Sequence, residues 1–178
     1  MKKSVIMLLI LIVSVLFASC EKNEAPIPAS QKILFECYYI NFAWGYNHQG
    51  FFIDNEGKIM DYYQFGTYND VDWNFTDDQG NISEQALMEN LQKSTIRDTL
   101  IDKNTLKKYS DKIYFVKDDN YTEYQAAYDA GAVVYSCYQY DENTGIYKQV
   151  VLSQYGDLVR INNSEYAIQI SDWLKSIR

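Results

Sequence analysis

Apolar runs separated by short polar turns dominate the chain after residue 32, and this pattern is typical of β-strands. Residues 33–44 are β-branched and aromatic, which predicts a strand that is buried on much of both faces. The next two apolar runs, 51–54 and 58–65, flank Asn55-Glu56-Gly57. A glycine in a short break between apolar runs predicts a β-hairpin.

A second group of strand-like runs follows in the last third of the chain. Residues 132–140 form one run, and 146–154 and 157–162 form a hairpin around Tyr155-Gly156. These three runs bring the predicted strands to six.

The segments between and after these strands show helical signals. Asn81 with Glu84 resembles a capping box, and Asp102 opens a second apolar repeat at helical spacing. Residues 122–130 predict a short helix, and Ser164 precedes a final one. The final helix has a clean apolar stripe at Ile170, Trp173, Leu174 and Ile177.

These elements predict an α+β fold, with an antiparallel sheet of about six strands and helices packed on one side. The hairpins 51–63 and 150–162 are alike, and Cys37 and Cys137 lie 100 residues apart in similar strands. We therefore expect two β-β-β-α units whose first strands lie side by side.

The N-terminus has the pattern of a secretory signal. Lys2 and Lys3 precede the uncharged apolar run 5–17, which is shorter than the roughly 20 residues that span a bilayer. An ordinary signal peptidase needs a small residue three positions before its cut, and Phe17 would occupy that position for a cut before Cys20.

Phe17-Ala18-Ser19-Cys20 instead resembles the lipobox of bacterial lipoproteins, with Phe17 where leucine is usual. The resemblance implies that 1–19 is a signal peptide and that Cys20 carries acyl chains, which would anchor the chain in a membrane. Residues 20–32, with two prolines, then form a flexible tether, and 33–178 form a single α+β domain.

The residues after Cys20 refine the expected location. Glu21 to Glu24 resemble the acidic export signal of Bacteroidetes-type surface lipoproteins. This resemblance implies attachment to the outer membrane of a bacterial cell envelope, with exposure on its outer face as the further expectation.

Net charge excludes some classes of partner. The 178 residues carry a net charge of −8, and removing residues 1–19 with their two lysines leaves −10. Such a chain repels phosphate backbones, so we expect no nucleic-acid binding.

Two cysteines, Cys37 and Cys137, remain once Cys20 is acylated. Two alternatives are open for them: a disulfide in an oxidising compartment, or two buried thiols. With one histidine in the chain, they do not form a zinc site of normal spacing.

Catalytic and cofactor motifs are absent from the sequence. There is no nucleophile elbow, phosphate loop or dinucleotide fingerprint. The run from Asp70 begins like an EF-hand but has Phe75 and Asn81 where glycine and glutamate are required. We therefore predict no catalytic residue, cofactor or metal.

The aromatic content, 16% with 17 tyrosines, is the most unusual feature of the composition. The turn after the first strand contains Trp44, Tyr46 and His48, and a long polar loop carries Tyr68 and Trp73. Exposed aromatic side chains beside polar ones would bind a glycan or a protein. The alternative is that Trp44, Tyr46, Tyr68 and Trp73 pack against the core, and that His48 is an ordinary turn residue.

One further motif lies outside these elements. Asp98-Thr99-Leu100 resembles the O-glycosylation acceptor of Bacteroidetes-type exported proteins, with Thr99 as the acceptor.

The sequence therefore predicts a membrane-anchored, non-enzymatic lipoprotein that binds a glycan or protein ligand. One alternative is an inhibitor or envelope assembly partner that acts through its sheet face. Another is a hydrolase with a pair of carboxylates, since the 24 acidic residues offer many pairs.

Overall fold

One large antiparallel sheet organises the fold. A computed structural model describes residues 27–43, 45–67 and 71–177. The strands are β1 (Ile33–Asn41), β2 (Tyr46–Asp54), β3 (Lys58–Gly66), β4 (Asn81–Ser83), β5 (Thr95–Leu100), β6 (Tyr121–Gln125), β7 (Ala132–Asp141), β8 (Ile146–Gly156) and β9 (Leu158–Asn162). The helices are α1 (Glu84–Leu91), α2 (Lys103–Ser110) and α3 (Glu165–Ile177), with a 3-10 helix at Ile113–Phe115.

The α+β class is confirmed, but the predicted number of strands is wrong. The described part of the chain contains a nine-stranded sheet in the order β5-β3-β2-β1-β7-β8-β9-β6, and β4 pairs with β8. The six predicted strands correspond to β1–β3 and β7–β9. The three additional strands are short, and each is held by pairing with a strand distant in sequence.

Two of the predicted helices are corrected by this pairing. Residues 122–130 do not form a helix, because Tyr121–Gln125 pairs with Leu158–Asn162 as β6. The first helix begins later than predicted: Asn81 belongs to β4, and the side chain of Ser83 caps α1 by accepting from the Ala86 amide. The predicted start at Asp102 is correct, since its side chain caps α2.

Two three-stranded meanders meet at the centre of the sheet. β1 pairs antiparallel with β7, so the first strands of the two predicted units lie side by side. Glu36 lies opposite Ser136, its counterpart at the 100-residue offset. The two meanders are therefore related by a pseudo-twofold rotation about an axis near this pair.

The two faces of the sheet carry different cores. The two-helix face is covered by α2 and α3, and its core includes Phe35, Cys37, Phe51, Leu106, Cys137, Ile170 and Leu174. The aromatic face carries Ile33, Phe52, Tyr62, Leu87, Tyr138, Tyr140 and Tyr147 in its core. Because Leu87 belongs to α1, this helix packs on the aromatic face. The prediction that the helices lie on one side is wrong.

The pseudo-symmetry is consequently limited to the strands. A twofold rotation that relates two antiparallel strands keeps each face of the sheet on the same side. The helices that follow the two meanders, α1 and α3, instead lie on opposite faces. They are not equivalent by this rotation.

Cys37 and Cys137 lie on the same face but do not form a disulfide with each other. Cys37 lies opposite Tyr135, and Cys137 lies opposite Phe35, so the two cysteines are diagonal neighbours. Diagonal pairs are separated by about 7–8 Å, which is longer than a disulfide normally spans. The second alternative, two buried thiols, is the one that the structure adopts.

The end of the predicted tether is packed against the domain. Gln31 is fully buried, and its amide nitrogen donates to the carbonyls of Ile33 and Tyr138 at 2.9 and 2.7 Å. Ile27 packs against the core of the two-helix face. Cys20 and the signal segment 1–19 lie outside the described residues. No helix in the described ranges is both long and apolar enough to cross a membrane.

A close approach between β1 and β2 gives a test of the strand register. A β-carbon added at Gly50 would lie 2.2 Å from the carbonyl oxygen of Cys37 and 2.7 Å from the α-carbon of Tyr38. We expect Gly50→Ala to destabilise the protein by about 1–3 kcal/mol, because these backbone atoms must move. Gly66→Ala is the matched control, since no atom of the described residues beyond its two chain neighbours lies within 4 Å of the added carbon. Urea denaturation of both variants measures the difference, and equal stability would contradict the register.

Candidate functional site

Five neighbouring strands direct polar side chains into the aromatic face. Alternate residues of a strand point to the same side of a sheet. Glu36 on β1, His48 on β2, Tyr62 on β3, Tyr138 on β7 and Gln149 on β8 therefore share one face with the aromatic core. They meet near the centre of the sheet.

Glu36 is the centre of this group. It is 3% exposed, and its carboxylate accepts three hydrogen bonds from neutral donors. The Tyr62 hydroxyl donates to Oε1 at 2.6 Å. The Tyr138 hydroxyl and the Gln149 amide donate to Oε2 at 2.6 and 2.7 Å. Three donors from three strands thus orient one buried carboxylate.

His48 extends the hydrogen-bond chain. Its Nε2 lies 3.2 Å from the Tyr62 hydroxyl, and its Nδ1 lies 3.2 Å from the Tyr46 hydroxyl. Tyr62 has one hydroxyl proton and donates it to Glu36, so Nε2 of His48 must donate and Nδ1 must accept. The order of donation is Tyr46 to His48, His48 to Tyr62, and Tyr62 to Glu36.

Aromatic rings enclose the histidine on several sides. Trp73 and Phe75 come from the polar loop and lie with their centroids 5.2 and 5.7 Å from the imidazole. Tyr38 and Tyr62 each lie 5.1 Å from it. The loop is held to α1 because Asn74 and Asn90 exchange two hydrogen bonds between amide side chain and backbone.

Burial shifts the pKa values of Glu36 and His48 in the directions that favour their neutral forms. Removal from water raises the pKa of Glu36 from 4.5 to about 7, although its three hydrogen bonds act in the opposite direction. Removal from water also lowers the pKa of His48 from 6.5 to about 4, so the imidazole is neutral at pH 7. Within the described ranges, the groups that hydrogen-bond to the Glu36 carboxyl are all neutral.

A small cavity adjoins Glu36, and we call it the niche. Its volume is about 50 Å³. The side chains that line it include Glu36, Tyr38, His48, Trp73, Asn74, Phe75, Thr76, Asn90 and Gln149. A wider polar cleft of about 520 Å³ shares Tyr38, Thr76 and Gln149 with the niche. The niche and the cleft are therefore adjacent.

The cleft is lined mainly by polar and charged groups. Residues 76–80 form one wall, in which Asp77 accepts from the amides of Gln79 and Asn81 at 2.9 and 2.8 Å. The other side includes Lys148, which forms a 2.8 Å ion pair with Asp118. Arg160 also lines it, above the ring of Tyr121 at 3.9 Å.

The structure unites three of the five predicted binding residues. Tyr46 and His48 are buried, and Trp73 is half-buried and packs against the aromatic core. For Tyr46 and Trp73, the alternative that they pack against the core agrees with the structure. His48 is not the turn residue of its own alternative, because it lies within β2. Trp44 and Tyr68 lie outside the described residues.

Thr99, the predicted O-glycosylation acceptor, lies apart from this group. It is exposed on β5, at one edge of the sheet.

Several central residues were missed by the sequence analysis. Glu36 offered one signal, because it is the charged residue within a run predicted to be buried. Tyr62, Tyr138 and Gln149 offered none, since tyrosine is common in strands and their meeting depends on the sheet order. Phe75, which is not among the predicted binding residues, is 47% exposed and lines the niche.

The site combines one buried carboxylate with aromatic rings and amide groups. Among the described residues, Glu36 is the one buried acidic side chain. No group of three or more His, Cys, Asp or Glu in the described ranges is arranged to hold a metal ion. The arrangement can bind a polar ligand beside aromatic rings.

Comparison of the chain with protein-family models, with curated proteins and with solved structures found no match.

The opposite pKa shifts of Glu36 and His48 make opposite contributions to stability. Glu36 has the higher pKa in the folded state, so its contribution falls as the pH rises from 4.5 to about 7. His48 has the lower pKa in the folded state, so its contribution rises between about 4 and 6.5. Each effect amounts to roughly 3 kcal/mol, at about 1.4 kcal/mol per pKa unit.

As the pH rises from 4.5 to 7, we therefore expect the free energy of unfolding of Glu36→Gln to increase relative to that of the unsubstituted protein. As the pH rises from 4 to 6.5, the free energy of unfolding of His48→Gln should decrease relative to that of the unsubstituted protein. Urea denaturation at half-unit pH steps measures both differences. Parallel pH profiles for the two variants and the unsubstituted protein would contradict the assigned burial of these groups.

Proposed function

We propose that this chain is a lipoprotein of the bacterial cell envelope, anchored through acylated Cys20, whose folded part binds a ligand without transforming it. The observation that carries the binding function is the aromatic-walled niche beside Glu36, which adjoins the polar cleft. The lipobox-like segment at 17–20 supports the anchor. Attachment to the outer membrane, with the domain at its outer face, belongs to the same proposal.

A glycan suits this cleft. Sugar rings present flat apolar faces and many hydroxyl groups, so they need aromatic rings beside polar side chains. Phe75 and Tyr38 supply aromatic rings, while Asp78, Gln79 and Gln149 supply polar groups around the same space. The acidic charge of the chain makes a nucleic acid an unsuitable ligand.

The geometry gives less support to a hydrolase. A glycosidase normally uses two carboxyl groups about 5–10 Å apart, one as acid and one as base or nucleophile. Glu36 is held by neutral donors, and His48 reaches it only through Tyr62. A product released from a bound glycan would identify an enzyme and replace the binding proposal.

A second candidate function is binding of a protein partner at an open sheet edge. β5 lies at one end of the strand order and pairs with β3 alone among the described strands. Ile96 and Leu100 on this strand are both exposed. An edge strand with unpaired backbone groups can accept an extended strand of another protein. Inhibition or envelope assembly would act through this edge.

The anchor is tested by Cys20→Ala. Loss of the thiol removes the acceptor for the thioether-linked lipid, so we expect the variant to move from the detergent phase to the aqueous phase on phase partitioning. Mass spectrometry should show the acyl chains on the unsubstituted protein and none on the variant. Cys37→Ala is the control and should remain acylated. A variant that keeps its lipid mass would contradict the anchor.

The binding function is tested with the purified protein on a glycan array. We expect at least one glycan to bind, and Phe75→Ala to weaken that binding by about tenfold, since a buried aromatic contact contributes roughly 1–3 kcal/mol. Tyr63→Ala is the matched control, because Tyr63 is exposed on β3 but points to the two-helix face. Equal losses in both variants would contradict the assigned site.

The same preparations separate the two candidate functions. A protein partner that cross-links on intact cells, is lost with Ile96→Lys and is retained with Phe75→Ala would support edge binding. Failure of every glycan to bind, together with that result, would replace the glycan proposal.

A further inference from the structure

The buried carboxylate of Glu36 has no counter-ion among the residues that the structure describes. None of the ion pairs formed by the described residues includes Glu36. Its hydrogen-bond donors, two tyrosines and one glutamine, are neutral. Burying an ion without an opposite charge is unfavourable even when it is hydrogen-bonded. A cation in contact with Glu36 would offset part of that cost.

The niche offers the space for such a cation. It adjoins the carboxylate, and none of the described side chains that line it is a lysine or arginine. A carboxylate provides about four acceptor positions, and the three bonds occupy one on Oε1 and two on Oε2. One acceptor position on Oε1 is therefore left for a ligand.

The walls of the niche also suit a positive charge. The rings of Tyr38, Trp73 and Phe75 line it, together with the neutral imidazole of His48. The faces of aromatic rings attract cations, and the attraction is stronger where water is excluded. The amide and hydroxyl groups of Asn74, Thr76 and Gln149 can accept hydrogen bonds from the protons of an ammonium group.

The volume of the niche limits the part of a ligand that can enter it to a small head group. A volume of about 50 Å³ admits an ammonium group with its first carbon but leaves little room for a trimethylated nitrogen. The wider cleft of about 520 Å³ begins at Tyr38, Thr76 and Gln149 and can receive the rest of the ligand. Three acidic groups line this cleft together with two basic ones, Lys148 and Arg160, so its formal charge is negative by one and favours a cation.

We propose that the niche binds the protonated primary amine of a small ligand, with Glu36 as its counter-ion and the aromatic rings as its walls. This inference depends on the proposed binding function of the cleft and specifies the chemistry of its ligand. The amine could belong to an amino sugar or to an alkyl amine, because both present the same head group.

The proposal is tested by titrating the purified full-length protein at pH 8 with five probes in a calorimeter. Methylammonium and tetramethylammonium test the head group. Glucosamine, N-acetylglucosamine and glucose test the sugar. We expect methylammonium to bind and tetramethylammonium not to bind. Glucosamine should bind about tenfold or more tightly than the other two sugars, since a buried charge pair contributes more than 1.4 kcal/mol.

Glu36→Gln should abolish the preference for the amine, so that glucosamine, N-acetylglucosamine and glucose bind this variant with similar affinity. Glu56→Gln is the matched control, because it removes one negative charge at the exposed turn between β2 and β3. It should leave the preference intact. Circular dichroism verifies the fold of both variants, and the comparison of probes with the unsubstituted protein remains decisive if Glu36→Gln does not fold.

The outcomes separate this inference from the proposed function. Equal binding of glucosamine, N-acetylglucosamine and glucose would overturn the amine proposal and leave glycan binding in place. Binding of methylammonium without any sugar would support the amine proposal, assign the site to alkyl amines and count against the glycan. Failure of methylammonium and glucosamine to bind would overturn the amine proposal.

Discussion

Burial of the Glu36 carboxylate is the constraint around which the aromatic face is arranged. An ionised group removed from water must be hydrogen-bonded, and here the donors come from β3, β7 and β8. The side chains of Tyr62, Tyr138 and Gln149 can meet at one carboxylate only if both meanders join at the β1–β7 pair. The central junction of the sheet and the polar centre of the site are therefore the same place.

The polar loop that carries Trp73 and Phe75 covers the site on the aromatic face. Trp73 packs against Phe52 and Tyr62, while Phe75 covers His48 and remains half exposed. The loop thereby shields Glu36 and His48 from water and leaves the niche beside them. The exclusion of water that shifts both pKa values also strengthens any interaction of a charged ligand there. Stability and binding consequently depend on the same side chains.

The two faces of the sheet divide structural and binding roles. The two-helix face is a conventional apolar core, in which α3 packs its stripe of Ile170, Trp173 and Leu174 over the strands. The aromatic face is covered by a shorter helix and a loop, which leave the cleft open along β8. This asymmetry breaks the pseudo-twofold relation of the meanders and confines the cleft to one face.

Local patterns were sufficient for the six main strands, the cap at Asp102 and the apolar stripe of the last helix, because each depends on residues close in sequence. The lipobox-like segment likewise reads directly from residues 17–20. Tertiary structure decided the rest. Tyr121–Gln125 forms a strand because it pairs with β9. The helix α1 packs on the aromatic face because Leu87 belongs to the core there. Glu36 became the centre of a site because strands more than 100 residues apart in sequence brought it two donors that no local pattern connects to it.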